Sequence, residues 1–166
     1  MRILAGLICL GLCPAAIAAP PNLLDKSVRV SSTTSIPARG PDGTIAPHVK
    51  DNTIVLYISS AGRVFNRIDQ AVGRHSRRHE SAPGQNTYRF EGNKLVGVRT
   101  YAGGASRIII TFDSAGQSCN ATFMSGHEAG RALRFRSKDG AIYEATGPAS
   151  FSNVSCSIAS GNAFAE

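Results

Sequence analysis

In the stretch SCNATFMS, residues 118–125, polar and apolar side chains alternate from Ser118 to Phe123. The apolar positions of this alternation are Cys119, Ala121 and Phe123. A period of two is typical of a β-strand with one face turned toward a core. The stretch SNVSCSIAS, residues 152–160, repeats the pattern with Cys156 on its apolar face. Both stretches are therefore predicted to be strands that present a cysteine to the interior.

Short runs rich in β-branched and aromatic residues recur in the rest of the chain, separated by turns that contain glycine. Ten runs are predicted to be strands, and they start at Ser27, Thr53, Arg63, Thr87, Lys94, Arg107, Cys119, Leu133, Ala141 and Ser152. The pairs Gly92-Asn93 and Asp139-Gly140 have the spacing of tight hairpin turns. Prolines and glycines in residues 35–52 predict a long surface loop there. The predicted fold class is all-β, a single antiparallel β-sandwich or a small meander barrel of short strands.

The first residues have the pattern of a secretory signal peptide. An apolar run, Ile3 to Leu12, precedes the small-residue cleavage pattern Ala16-Ile17-Ala18. We expect residues 1–18 to be the signal peptide and residues 19–166 to form a single all-β domain. A membrane anchor is the alternative, but a spanning helix needs roughly 20 apolar residues. A lipoprotein would need a small residue before Cys13, where a leucine stands. The short, alanine-rich signal suggests a bacterial protein that is periplasmic or secreted.

Two of the four cysteines lie outside this signal. Two cysteines in an exported chain most simply form one disulfide bond, which would join Cys119 to Cys156. A metal-binding pair or a catalytic thiol is the alternative. No C-x-x-C spacing supports that alternative.

The positive charge of the chain is concentrated in its middle. Lys and Arg number 18 against 11 Asp and Glu, and nine basic but three acidic residues fall between positions 60 and 110. The densest stretch, GRHSRRHESAPGQN at 73–86, is predicted to be a surface loop. The predicted anion-binding patch consists of Arg63, Arg67, Arg74, His75, Arg77, Arg78, His79 and Arg107. Arginine binds carboxylates, phosphates and sulfates through its forked donors. A solvated basic loop that serves only solubility is the alternative.

Motifs for metal binding and catalysis are missing from the sequence. His75 and His79 are four residues apart, but the arginines beside them would repel a dication. The stretch HEAGR from His127 lacks the second histidine of a zincin motif. No G-x-S-x-G motif, phosphate-binding loop or pair of acids stands out. No catalytic residue, metal site or cofactor is predicted.

The function expected from these features is that of an exported, non-catalytic binding or envelope-structural module. Its basic patch would take anionic ligands, namely polysaccharide, phosphate or lipid headgroups. Nucleic acid is disfavoured because of export and because no nucleic-acid-binding signature is present. An extracytoplasmic hydrolase or hydrolase inhibitor without a recognisable motif is the alternative, and a subunit of a larger envelope assembly is a third. No transmembrane segment is expected in the mature chain.

Overall fold

The computed structural model describes residues 18–72, 75–81, 87–101, 104–127, 133–136 and 140–164, with only the backbone described for 72, 75–81, 101 and 127. This part of the chain is almost entirely strand, which confirms the all-β prediction. Its elements are a short 3-10 helix at Pro21–Leu23, followed by β1 Lys26–Arg39, β2 Ile45–Ile58, β3 Val64–Val72, β4 His75–Ser81, β5 Thr87–Glu91, β6 Lys94–Tyr101, β7 Gly104–Phe112, β8 Cys119–His127, β9 Arg134–Arg136, β10 Ile142–Ala145 and β11 Ser150–Ser160.

The strands form two antiparallel sheets. The first sheet has the order β4-β3-β2-β1-β10-β9, and β11 pairs with β1 beside β10. The second sheet is a simple meander in the order β5-β6-β7-β8. The predicted disulfide is confirmed: it joins Cys119 of β8 to Cys156 of β11, with their Cα atoms 5.6 Å apart. Because these strands belong to different sheets, the bond ties one sheet to the other.

Alternating side chains place the core between the two sheets. Val28 and Val30 of β1 are completely buried, and so is Leu56 of β2. Leu95 and Ile110 meet them from the second sheet, where the two residues are direct cross-strand partners. Removing such side chains from water is the main source of stability in a sandwich of this size. Residues that alternate in phase with these core residues, and their direct cross-strand partners, therefore face inward.

The long surface loop predicted for residues 35–52 is wrong, because β1 and β2 extend through this region as one hairpin. Pro37 and Pro47 lie directly opposite each other in that pair. The Pro37 carbonyl accepts a hydrogen bond from the Thr146 N–H at 2.8 Å, on the side away from β2. Since the N–H and C=O of a strand residue point to the same edge, the β1–β2 ladder needs no N–H from Pro37. Pro47 lies beyond the end of β3, whose pairing with β2 starts at Asp51.

Residues 75–81 of the basic stretch 73–86 are also not a loop. The backbone of His75–Ser81 is strand β4, which pairs with β3 from Val72 opposite His75 to Asn66 opposite Ser81. A strand at the edge of a sheet is held by backbone hydrogen bonds, and charged residues are common there. The high charge that suggested a loop is thus compatible with an edge strand.

The predicted signal peptide lies almost wholly outside the described residues, which begin at Ala18. Within the part of the chain that the structure describes, no helix is long and apolar enough to cross a bilayer.

Candidate functional site

The space between the sheets differs in character from one end to the other. Toward the disulfide it is lined by the apolar core. Farther along the strands, a group of inward-facing positions carries polar and basic residues, and we call this region the polar end. Its residues on the first sheet are Ser32, Thr34, Lys50, Asn52 and Gln70, and on the second sheet they are Tyr88, Arg99, Ser106 and Ser125.

A chain of hydrogen bonds orders the first sheet at the polar end. The Gln70 side-chain amide donates to Asn52 Oδ1 at 2.9 Å. Asn52 Nδ2 in turn donates to the hydroxyl oxygen of Thr34 at 2.8 Å. Thr34 is buried and uses its oxygen as an acceptor here. Its hydroxyl proton is therefore available for a further acceptor.

Tyr88 occupies the second sheet at the border between the apolar core and the polar end. Asn66 Nδ2 reaches across from the first sheet and donates to the Tyr88 hydroxyl oxygen at 3.4 Å. Burial raises the pKa of Tyr88 to about 12, although the Asn66 hydrogen bond and the charge of Arg99 act in the opposite direction. The phenol is thus neutral at physiological pH, and its proton is free to be donated.

Two cations extend inward from opposite sheets. Lys50 of β2 is the direct cross-strand partner of Thr34 and is partly buried. Arg99 of β6 follows Gly97 by two residues, so it shares the inward face, and it is exposed at the rim. Burial lowers the pKa of Lys50, and the nearby positive charge of Arg99 lowers it further. The two like charges therefore disfavour each other across the gap between the sheets.

No carboxylate faces these cations from the strand positions whose side chains the structure describes. The acidic residues of the described strands alternate with the core residues and lie on outward faces. These outward-facing acids are Asp51, Asp69, Glu91 and Glu144. Asp51, for example, accepts a hydrogen bond from Thr33 at 2.8 Å on the outer surface. The described part of the inner surface at the polar end therefore carries two cations and no carboxylate.

Aromatic rings flank the polar end on the first sheet. His48 of β2 lies 4.8 Å from the Phe135 ring, which stacks on Tyr143. Burial lowers the pKa of His48, with a smaller contribution from the charge of Lys50. On the other side of Thr34 lies Phe151 of β11, which stacks on Phe123 of β8 at 5.0 Å. These rings form an apolar border of the polar end.

The residues of the predicted patch are not all on one surface. Arg67 points outward from β3 in the first sheet, where its Nε lies 3.5 Å from Asp69 and its guanidinium lies 5.5 Å from the Phe164 ring centroid. Arg107 points outward from β7 in the second sheet and lies 4.0 Å from Glu91. Arg63 lies in the β2–β3 turn, where its N–H donates to the Ser59 hydroxyl. The structure therefore does not bring Arg107 together with Arg63 and Arg67.

The rest of the predicted patch lies on or next to β4. Arg74 is outside the described residues, and only the backbone is described for His75, Arg77, Arg78 and His79. In the sheet register, Arg77 is opposite Gln70, and Gln70 is opposite Asn52. The backbone of the basic strand thus runs beside the hydrogen-bond chain of the polar end.

Sequence reasoning missed Lys50 because its segment was predicted to be a loop. The signal for Arg99 was present, since it alternates in phase with Leu95 and Gly97. Within the described ranges, no group of three or more His, Cys, Asp or Glu side chains is placed to hold a metal ion. Comparisons with protein-family models, curated proteins and solved structures return no match for this chain.

Proposed function

We propose that this protein is an exported binding module that captures an oxyanion between its two sheets, at the polar end. The observation that carries the proposal is the pair of cations, Lys50 and Arg99, which extend inward from opposite sheets. No carboxylate meets them from the strand positions with described side chains. A bound anion would supply a negative charge between the two cations.

The physical basis is the cost of holding charge away from water. A partly buried ammonium group with a cation as its neighbour is unfavourable unless an anion or a deprotonation compensates it. The lowered pKa of Lys50 expresses this cost. An oxyanion placed between Lys50 and Arg99 would be attracted to both, and the Thr34 hydroxyl would lie next to Lys50 to donate a hydrogen bond.

The location proposed for this activity is the periplasm or the outside of the cell. The signal-like N-terminus and the Cys119–Cys156 disulfide support it, since such bonds persist in oxidising compartments. The ligand would be an anionic group of a polysaccharide, a phosphate or a lipid headgroup. The basic residues of β4 and its neighbours, the predicted patch, would attract such anions at long range.

The experiment is calorimetric titration of the purified protein with inorganic sulfate and inorganic phosphate at about 0.15 M chloride. We expect Lys50→Gln and Arg99→Gln each to weaken binding by about tenfold, the usual effect of losing a charged hydrogen-bond donor. The matched controls are Lys94→Gln and Arg29→Gln, both exposed on outward faces. These controls should bind as the unaltered protein does. Absence of binding by the unaltered protein, or an equal loss in the controls, would refute the proposal.

A further inference from the structure

We propose that the polar end selects a sulfate group over a phosphate group that carries a proton. The inference rests on the proposed function and specifies the chemical class of its ligand. Sulfate and protonated phosphate have the same tetrahedral shape and can carry the same charge. They differ in one O–H, and the direction of the hydrogen bonds at the polar end decides between them.

Four groups at the polar end are available as donors. Lys50 and Arg99 have no acceptor capacity at all when charged. The Thr34 oxygen already accepts from Asn52, and the Tyr88 oxygen already accepts from Asn66, so both hydroxyls have their protons left to donate. Because the Asn52 and Asn66 amide groups are the donors in these two contacts, each hydroxyl directs its own proton elsewhere.

The acceptors among the described side chains of the polar end are neutral. Asn52 Oδ1 is used by Gln70. The Gln70 amide oxygen and the inward-facing hydroxyls of Ser32, Ser106 and Ser125 can accept, but no carboxylate is present on the inward side of the strands with described side chains. A ligand O–H would therefore face donors or, at best, a neutral amide or hydroxyl oxygen. Burying such a group without a good partner typically lowers affinity by about tenfold or more.

The second ionisation of phosphate makes the difference measurable. A phosphate monoester binds its second proton with a pKa of about 6, whereas a sulfate ester stays unprotonated. At pH 5 both esters are monoanions, and only the phosphate carries an O–H. Among the described side chains, the charged and titratable groups that face the site are Lys50, Arg99, His48 and Tyr88. Their titration affects both monoanions in the same way, so it cancels in the ratio of affinities.

The test compares glucose 6-sulfate with glucose 6-phosphate by calorimetric titration at pH 5 and pH 8 in chloride buffers. We expect glucose 6-sulfate to bind at least about tenfold more tightly at pH 5. The preference should shrink or reverse at pH 8, where the phosphate is an unprotonated dianion. Equal affinities at pH 5 would overturn the inference, and the proposed function would survive. If neither ester binds and inorganic sulfate does not bind, both the inference and the proposed function are overturned.

Inorganic sulfate distinguishes the source of the group. Tight binding of the free ion would assign the site to sulfate itself. Binding of the ester alone would assign it to sulfated saccharides, because the sugar would then contribute contacts of its own. Either result agrees with selection of an unprotonated oxyanion. In the Lys50→Gln variant both sulfate ligands should bind at least about tenfold more weakly, while Lys94→Gln should behave as the unaltered protein.

Discussion

The phenol ring of Tyr88 lies over Gly97, its cross-strand neighbour in the β5–β6 ladder. A Cβ atom at position 97 would overlap the ring, and it would also lie 2.9 Å from Ile108 Cγ2. The absence of a side chain at Gly97 therefore gives Tyr88 its place between the apolar core and the polar end. The hydroxyl then meets Asn66 of the other sheet.

The first prediction concerns this glycine. Gly97→Ala should reduce the free energy of unfolding by about 1–3 kcal/mol, the usual cost of overpacking, because the Tyr88 ring has to move. Urea denaturation measures the change. Gly126→Ala is the matched control in the same sheet, since its Cβ would meet only the Ala105 carbonyl at 4.0 Å. An equal loss in both variants would contradict the role assigned to the contact with Tyr88.

The second prediction is the alkaline behaviour of Tyr88. The folded pKa of about 12 lies above the ordinary value of 10.0, so the unfolded chain loses its proton first as the pH rises. The folded state should thus lose about 1.4 kcal/mol of stability through this group by pH 11, and little of it below pH 9. Comparison of urea denaturation for the protein and Tyr88→Phe across this range isolates the effect. A constant difference between the two proteins would be inconsistent with a buried neutral phenol.

The third prediction concerns Lys50 without ligand. Because its pKa is lowered by burial and by Arg99, the charged form destabilises the folded state. Lys50→Gln should therefore raise the free energy of unfolding by about 1 kcal/mol at pH 7 in chloride buffer. This gain should shrink as the pH rises toward the ordinary lysine value of 10.5, because the folded protein gives up the Lys50 proton before the unfolded chain does.

The control for this prediction is Lys94→Gln, which removes an exposed outward-facing lysine. Its thermal midpoint should stay close to that of the unaltered protein, because exposed charges contribute little. Added sulfate should raise the midpoint of the unaltered protein and of Lys94→Gln, and leave Lys50→Gln nearly unchanged. A fall in stability on replacing Lys50 would mean that its charge has a partner.

The fourth prediction concerns the disulfide. Cys119 and Cys156 are 37 residues apart in the sequence. The chain-entropy treatment gives a loss of about 4 kcal/mol when such a loop is opened, so the Cys119→Ser, Cys156→Ser variant should unfold at much lower urea concentration. Mass spectrometry under non-reducing conditions should find no free thiol at either position in the unaltered protein. Two free thiols would contradict the pairing.

The fifth prediction separates Arg67 from ligand binding. This side chain is buried on the outer face of the first sheet, between Asp69 and the ring of Phe164. We expect Arg67→Gln to reduce stability by about 1 kcal/mol, through lost packing and the lost ring contact. Sulfate affinity should stay within about twofold of the unaltered value, a change of under 0.5 kcal/mol. A tenfold loss of affinity would move the ligand to this outer surface.

The alternation of polar and apolar side chains in the sequence predicted most of the strands. It predicted the strands around Cys119 and Cys156, and a strand's period of two is a property that neighbouring residues alone determine. It failed for residues 35–52, where prolines predicted a loop. Whether a proline interrupts a ladder of hydrogen bonds depends on the strand edge toward which its backbone nitrogen points. That edge is set by pairing with distant strands, as the contact of Pro37 with Thr146 shows.

For the candidate site, too, the sequence determined some features and the tertiary structure determined others. The sequence by itself determined that positive charge gathers in the middle of the chain, that Arg99 is in phase with Leu95, and that two cysteines are available to pair. Only the tertiary structure decided that Lys50 and Arg99 extend inward from different sheets, while Arg67 and Arg107 point outward. The physical reason is that a charge acts through space. Its partners are therefore chosen by how strands are paired and stacked, which local sequence does not encode.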